Sequence, residues 1–188
     1  QNAGWTWNAS FADVNNDEFQ DLYIATGFFQ FHLRDNNVFF LNRGGQRFDQ
    51  VTDEYGLTDY LSTSAFTHTD FDRDGDMDII SLPVTMANVR FFQNQGPKGN
   101  SITIQLRDLR GNRFAIGSRI IVRYGESKHQ LREISASGGY LSFEPQEAHF
   151  GLGEHTSIRE IEIRWPDNTR TALKGDFEAN QLYRIHRN

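Results

Sequence analysis

The 188-residue chain contains no cysteine. Disulfides, thiolate metal sites and cysteine nucleophiles are therefore excluded, while the redox compartment is left open. No apolar run approaches the roughly 18 residues of a membrane-spanning helix, and the first residues carry no charged-then-apolar secretory pattern. If the protein is exported, the expectation is that its signal has already been removed. Basic residues are in the minority, 19 Lys and Arg against 25 Asp and Glu, giving a net charge of −6. Nucleic-acid binding requires a basic stripe, so the charge balance argues against it. HExxH, GxSxG and phosphate-binding glycine loops are also missing from the sequence.

What the chain does have is aromatic material and localised negative charge. Aromatics reach 13%, with sixteen Phe, enough to build a core and to rule out global disorder. The charge is concentrated in two stretches. Residues 13–21 carry Asp13, Asp17, Glu18 and Asp21; residues 70–78 carry Asp70, Asp72, Asp74, Asp76 and Asp78 against Arg73. Each stretch holds −4, so the rest of the chain is slightly positive.

The two stretches are copies of one unit. Asp13, Asn15, Asp17 and Asp21 align with Asp70, Asp72, Asp74 and Asp78 at an offset of 57, and "NNVFFLNRGG" (36–45) is answered by "NVRFFQNQG" (88–96) at an offset near 52. Around each acidic loop the apolar pattern is alternating or continuous over short runs, which predicts strands. A unit of about 50 residues made of short strands with Gly and Asn turns predicts a propeller blade or a similar β array.

Oxygen-bearing side chains at positions 1, 3, 5 and 9 of a tight loop, with a backbone carbonyl at position 7, can converge on one hard cation. Calcium accepts 6 to 8 oxygens in irregular geometry, whereas magnesium demands a stricter octahedron, so two calcium sites are expected. The ligands of the second would be Asp70, Asp72, Asp74 and Asp78 with the Asp76 carbonyl. Those of the first would be Asp13, Asn15, Asp17 and Asp21 with the Phe19 carbonyl. Gly75 supplies the sharp turn at position 6 of the second loop, but Glu18 stands there in the first, which predicts a weaker or more strained first site. An EF-hand is excluded: position 12 is Ile24 or Ser81 where a bidentate Glu is needed, and both flanks read as strands. The competing reading is a solvated acidic turn. Two copies in register count against it, because carboxylates at this density repel one another unless a cation joins them.

With "NNVFFLNRGGQRFDQVTDEYGL" following the first of them, these loops resemble FG-GAP/VCBS repeats, the blades of integrin-like β-propellers, over residues 5–96. The residue at 18 departs from the usual Gly. From residue 100 the acidic loops stop and period-two alternation begins. Ile102, Ile104 and Leu106, Ile120, Val122 and Tyr124, and Ile161, Ile163 and Trp165 each oppose polar neighbours. With "TRTALKG" and "QLYRIHR", this predicts a compact antiparallel sandwich or open barrel, joined at "NQGPKGN" (94–100). Within it, "GNRFAIGSRIIVRYG", "SGGYLSFEPQEAHFGLG" and "IEIRWPDNTRTAL" resemble the ASPIC/UnbV domain that follows FG-GAP repeats in the cartilage acidic protein family and its bacterial relatives. That resemblance implies a calcium-dependent recognition or scaffold protein that is secreted, periplasmic or at the cell surface, with no family-wide reaction.

The expectation is therefore an all-β chain of two domains. Residues 1–97 form two propeller-type blades with calcium loops, an incomplete propeller, and residues 98–188 form an antiparallel β-sandwich or barrel-like domain. Two blades cannot close a propeller, since roughly four to eight are usual. Open sheet edges are expected to pair with missing blades of a longer protein or with another copy. The expected partner is an extracellular protein or glycan, with no nucleic acid and no membrane insertion. Trp5, Trp7 and Tyr140 are candidate sugar-stacking platforms against a plain core or edge role, Trp165 is core, and His68 and the Phe pairs 28/29, 39/40 and 91/92 are strand residues covering neighbouring sheets. Glu147 and His149 alternate in "EAHFGLG" and are the candidate acid/base pair if the chain is an enzyme subunit. A structural His beside a Gly-rich turn is the favoured reading, and nothing marks Ser142 as a nucleophile. "SASGG" (135–139) reads as a turn rather than an anion cradle.

Overall fold

A computed structural model describes residues 4–27, 36–84, 88–96 and 98–188. Every regular element among the described residues is a β-strand, as the alternation and short apolar runs predicted. The chain divides into two compact units. The first comprises Gln1–Val14, Phe19–Gly96 and Ser137–Glu144; the second comprises Asn15–Glu18, Pro97–Ala136 and Pro145–Asn188. The units thus depart from a contiguous division in two short segments, 15–18 and 137–144.

The first unit holds two sheets. One is the meander β1 (Thr6–Ala12), β2 (Asp21–Thr26), β3 (Val38–Asn42) and β4 (Phe48–Gln50); the other is β5 (Thr63–Thr69), β6 (Asp78–Pro83) and β7 (Arg90–Phe92). Their registers are the same. Ser10, Tyr23 and Phe39 lie side by side across the first sheet, and Thr67, Ile80 and Phe91 across the second, at the sequence offsets of 57 and 52. The repeat in the sequence is thus a repeat of strand pairing, and a slip by one residue would turn every apolar side chain to the wrong face. Tyr23, Ala25, Phe39 and Leu41 on one face of the first sheet share a core with Phe66 and Ile79 of the second, against which Phe92 packs. The Tyr23 and Phe66 rings meet edge-on with centroids 4.8 Å apart, a favourable arrangement of their quadrupoles. The Phe pairs split across the pleat: Phe39 is buried and Phe40 half-buried, Phe92 half-buried and Phe91 exposed. The pair at 28 and 29 lies outside the described residues. Segment 137–144 belongs to this unit through Ser142, whose Oγ accepts from the Phe66 N–H (3.1 Å) and Asn8 Nδ2 (3.0 Å) and donates to the Tyr140 carbonyl (2.9 Å).

The second unit is a sandwich. One sheet has the order β10 (Lys128–Glu133), β9 (Arg119–Tyr124), β12 (Ser157–Arg164), β13 (Arg170–Glu178); the other has β11 (Ala148–Gly153), β8 (Asn100–Asp108), β14 (Gln181–Arg187). The three alternating sets read from the sequence meet in one core: Ile102, Ile104, Leu106, Ile120, Val122, Ile161 and Ile163 are fully buried, together with Tyr124 and Trp165. The opposite face of β9 and β12 carries ion pairs, with Arg123 and Arg164 both on Glu162 (3.0 and 2.9 Å). Wholly antiparallel pairing was expected here, and one pair differs. β14 runs parallel to β8, with Gln181 beside Ile102 and Arg187 beside Asp108. The physical reason is that the chain leaves β13 through Ala179 and Asn180 and changes sheets, its Asn180 N–H donating to the Ser101 carbonyl (2.6 Å) at the start of β8. The short link is a crossing between layers rather than a hairpin within one.

Candidate metal centre

The second acidic loop joins β5 to β6 and lies wholly in the first unit. One carboxylate oxygen from each of Asp70, Asp72 and Asp74 lies within 4.8 Å of the others. The loop folds this way because its side chains accept from its own backbone. Asp70 Oδ2 takes the Gly75 N–H (3.2 Å), Asp72 Oδ1 the Asp74 N–H (3.4 Å) and Asp74 Oδ1 the Asp76 N–H (3.2 Å), the short-range bonding that Asp favours in turns. Arg73 and Gly75 take positive φ, 62° and 92°; glycine meets the second at no steric cost.

Asp70 is the informative member. It is 5% exposed, and its Oδ1 is buried with no hydrogen-bond partner. Burial raises its carboxyl pKa above the ordinary value and the Asp74 charge adds to this, while the Gly75 N–H and Arg73 oppose it. A carboxylate oxygen withdrawn from water without a donor is costly. A hard cation drawing on Asp70, Asp72 and Asp74 together would remove that cost, and an all-oxygen donor set suits calcium or magnesium rather than a softer metal. The residues present therefore fit the group.

Asp78 has a different engagement from the other three. Its Oδ2 accepts from the Phe71 N–H (3.0 Å) and its Oδ1 from the Asn94 N–H (2.8 Å). Asp21 does the same in the first repeat, with Oδ2 on the Val14 N–H (3.0 Å) and Oδ1 on the Asn42 N–H (2.8 Å). Asn42 and Asn94 then reach back with Nδ2 to the carbonyls of Gln20 (3.0 Å) and Met77 (3.5 Å). Position 9 of each loop thus braces the loop against the third strand of its sheet. Asn42 and Asn94 were not singled out from the sequence, although both fall at the offset of 52.

The first loop repeats the backbone of the second. Asn16 and Glu18 take φ of 59° and 85° where Arg73 and Gly75 stand, and Asn15 Oδ1 accepts from the Asp17 N–H (3.3 Å) as Asp72 does from Asp74. Its residues are divided: Asp13, Phe19 and Asp21 belong to the first unit, Asn15 and Asp17 to the second. Within the second unit, Gly99 and Gly153 donate to the Asn15 and Asn16 carbonyls (3.0 and 2.8 Å). Glu18 is held there by Lys128 Nζ (2.7 Å) and Tyr124 OH (3.0 Å). A non-glycine residue in this conformation costs about 1–3 kcal/mol and persists only where its surroundings over-determine it; here the salt bridge and the tyrosine do so. No sequence signal paired Glu18 with residues 124 and 128.

The candidate stacking residues come together within the first unit. Trp7 lies 5.2 Å from Tyr140 and 6.3 Å from Trp5, centroid to centroid, and Trp5 and Tyr140 are about half exposed. Trp7 Nε1 donates to the Gly27 carbonyl (2.6 Å). The candidate acid/base residues have separate partners. Glu147 accepts from Gln105 Nε2 (2.7 Å), while His149 meets Asn16 Oδ1 through Nε2 (2.7 Å) and Thr103 Oγ1 through Nδ1 (3.3 Å). Burial, with Arg132 nearby, pushes the His149 pKa down to about 4. Ser142 has its hydroxyl fully engaged, as described above, and His68 is buried with Nδ1 3.8 Å from Glu144.

No curated protein matches the chain. Two family models do: residues 13–81 match an FG-GAP-like repeat and residues 108–188 match ASPIC and UnbV. The first match covers the acidic loops with β2, β3, β4 and β5 between them; the second covers the sandwich from the end of β8. Residues 13–81 are thus similar to an FG-GAP-like repeat, and residues 108–188, which follow, are similar to an ASPIC and UnbV domain.

Proposed function

We propose that this chain is a calcium-stabilised β module that serves extracellular recognition or scaffolding and carries no catalytic function. The observation that supports it best is Asp70 Oδ1, a buried carboxylate oxygen without a donor in a cluster with Asp72 and Asp74. In the second loop Asp70, Asp72 and Asp74 would hold the ion, with the Asp76 carbonyl and Asp78 completing the set. In the first, Asp13, Asn15, Asp17 and Asp21 with the Phe19 carbonyl would do so. Calcium would supply the positive charge that lets these carboxylates stay close, so its binding free energy adds to folding free energy. An FG-GAP-like repeat beside an ASPIC and UnbV domain favours an extracellular setting for such a module. No helix among the described residues is long and apolar enough to cross a membrane.

Thermal unfolding with added calcium and with chelator tests the proposal. Calcium at a hundredfold excess over its Kd should stabilise by about 2.7 kcal/mol per site, raising the midpoint, and chelator should lower it. Asp72→Ala combined with Asn15→Ala should abolish the difference. A calcium response untouched by both changes would rule the assignment out.

A second reading, glycan binding, is favoured by the meeting of Trp5, Trp7 and Tyr140 from distant parts of the sequence. Half-exposed rings of this kind present apolar faces to a sugar. A glycan array should then show binding by the wild type that Trp5→Ala and Tyr140→Ala lose. Equal signals from all three proteins would dismiss this reading.

A further inference from the structure

At the far end of β8 the second unit concentrates charge of the sign opposite to that of the acidic loops. Residues 100–119 hold four arginines, at 107, 110, 113 and 119, and a single acid, Asp108. Asp108 is satisfied inside the fold: it is 2% exposed, one oxygen accepts from the Arg110 N–H (2.9 Å) and the other is paired with Arg187. Arg119 is matched by Glu133 (2.9 Å). Arg107, Arg110 and Arg113 enter no ion pair among the described residues.

These three stand at every third position, on a loop held by its own hydrogen bonds. The Asp108 N–H donates to the Arg113 carbonyl (3.2 Å), and the Asn112 side chain brackets Ile116, accepting from its N–H (3.1 Å) and donating to its carbonyl (2.8 Å). Phe114 is thereby set against two guanidinium groups, with Arg107 4.9 Å and Arg113 5.7 Å from its ring centroid. The ring attracts each cation, but like charges held this close favour an anion beside them. A fourth cation comes from β14. Arg184 is exposed, lies in register with Gln105 and donates from Nε to its Oε1 (3.1 Å). Gln105 is on the same face of β8 as Arg107, about 7 Å away along the strand.

The chemistry of the set narrows the ligand. All four cations are arginines, whose planar forks take sulfate, phosphate or carboxylate oxygens in pairs. Their spread over β8, the loop and β14 exceeds a single oxyanion, so the complementary partner is a chain that bears anions at intervals. Phe114 is capped by guanidinium groups instead of being presented to lipid, which makes a bilayer the poorer match. A stiff chain of sugars loses less entropy on binding than an acidic peptide does.

We propose that Arg107, Arg110, Arg113 and Arg184 form a binding site on the second unit for a sulfated polysaccharide. Such a polymer suits the extracellular setting proposed above. The site uses none of the acidic-loop residues, so loss of the calcium response would leave it standing.

Binding of the full chain to immobilised heparin, at about 0.15 M salt, tests this. The wild type should bind, should weaken as salt rises, and should fail to bind heparin stripped of its sulfates. Arg107→Gln combined with Arg113→Gln should lower the affinity at least about tenfold. Arg119→Gln combined with Arg170→Gln removes the same charge from arginines that face Glu133 and Glu162 and should bind as the wild type does. Arg110→Gln with Arg184→Gln serves as the second site variant if the first does not fold. Absence of heparin binding, retention of binding by the site variants, or an equal loss in the charge-matched control would each overturn the proposal. Tighter binding to phosphatidylglycerol vesicles, to polyglutamate or to single-stranded DNA than to heparin would overturn it as well, assigning the arginines to a different polyanion.

Discussion

Glu18 and Gly75 hold nearly the same backbone angle, 85° and 92°, with opposite means of tolerating it. Gly75 has no Cβ to clash, whereas Glu18 is strained and held by Lys128 and Tyr124. The sequence showed that strain would sit at residue 18, and its compensation could be seen only once residues 124 and 128 were placed. His149 is a second case. Its alternation with Glu147 suggested proton transfer, but its ring is hydrogen-bonded at both nitrogens and its pKa is down at about 4, from an ordinary 6.5, by burial and by Arg132. A depressed histidine pKa means that the unfolded chain binds the proton more tightly. The stability contributed by neutral His149 is therefore complete above about pH 6.5 and is lost as pH falls towards about 4, on the order of 3 kcal/mol in all. Urea unfolding at about pH 7 and about pH 5 should show this loss in the wild type, and His149→Gln, which keeps hydrogen-bonding capacity without the charge change, should lose less. Equal losses would place the acid sensitivity elsewhere.

At the scale of the elements, each loop and its sheet are tied by one aspartate and one asparagine, Asp21 with Asn42 and Asp78 with Asn94. Asp78 is 1% exposed and accepts two backbone N–H bonds, so Asp78→Ala strands both donors. In chelator this should cost about 2–4 kcal/mol of unfolding free energy. Asp72 is exposed and accepts from Gln93 Nε2 (2.7 Å) at the surface, so Asp72→Ala should cost only about 0.5 kcal/mol under the same conditions while removing the calcium response of the second loop. Similar losses from the two variants without calcium would deny Asp78 its bracing role. The sequence treated all the loop aspartates alike, because spacing shows which residues share a loop. Which carboxylates face backbone donors and which face each other depends on where β3 and β7 bring Asn42 and Asn94.

For the whole molecule, the all-β character, the internal repeat and the alternating core positions of the sandwich were legible from end to end. Period-two burial and the spacing of acidic loops are local properties, set by the pleat and by the reach of a side chain to its own backbone. Only the tertiary structure decided matters that join residues far apart along the chain. Residues 15–18 group with the second unit and 137–144 with the first, β14 enters its sheet parallel to β8, and Trp5, Trp7 and Tyr140 meet in one cluster. Local pattern states which face of a strand is apolar. It does not state which other face covers it, because that is chosen by burial and hydrogen bonding summed over the folded chain.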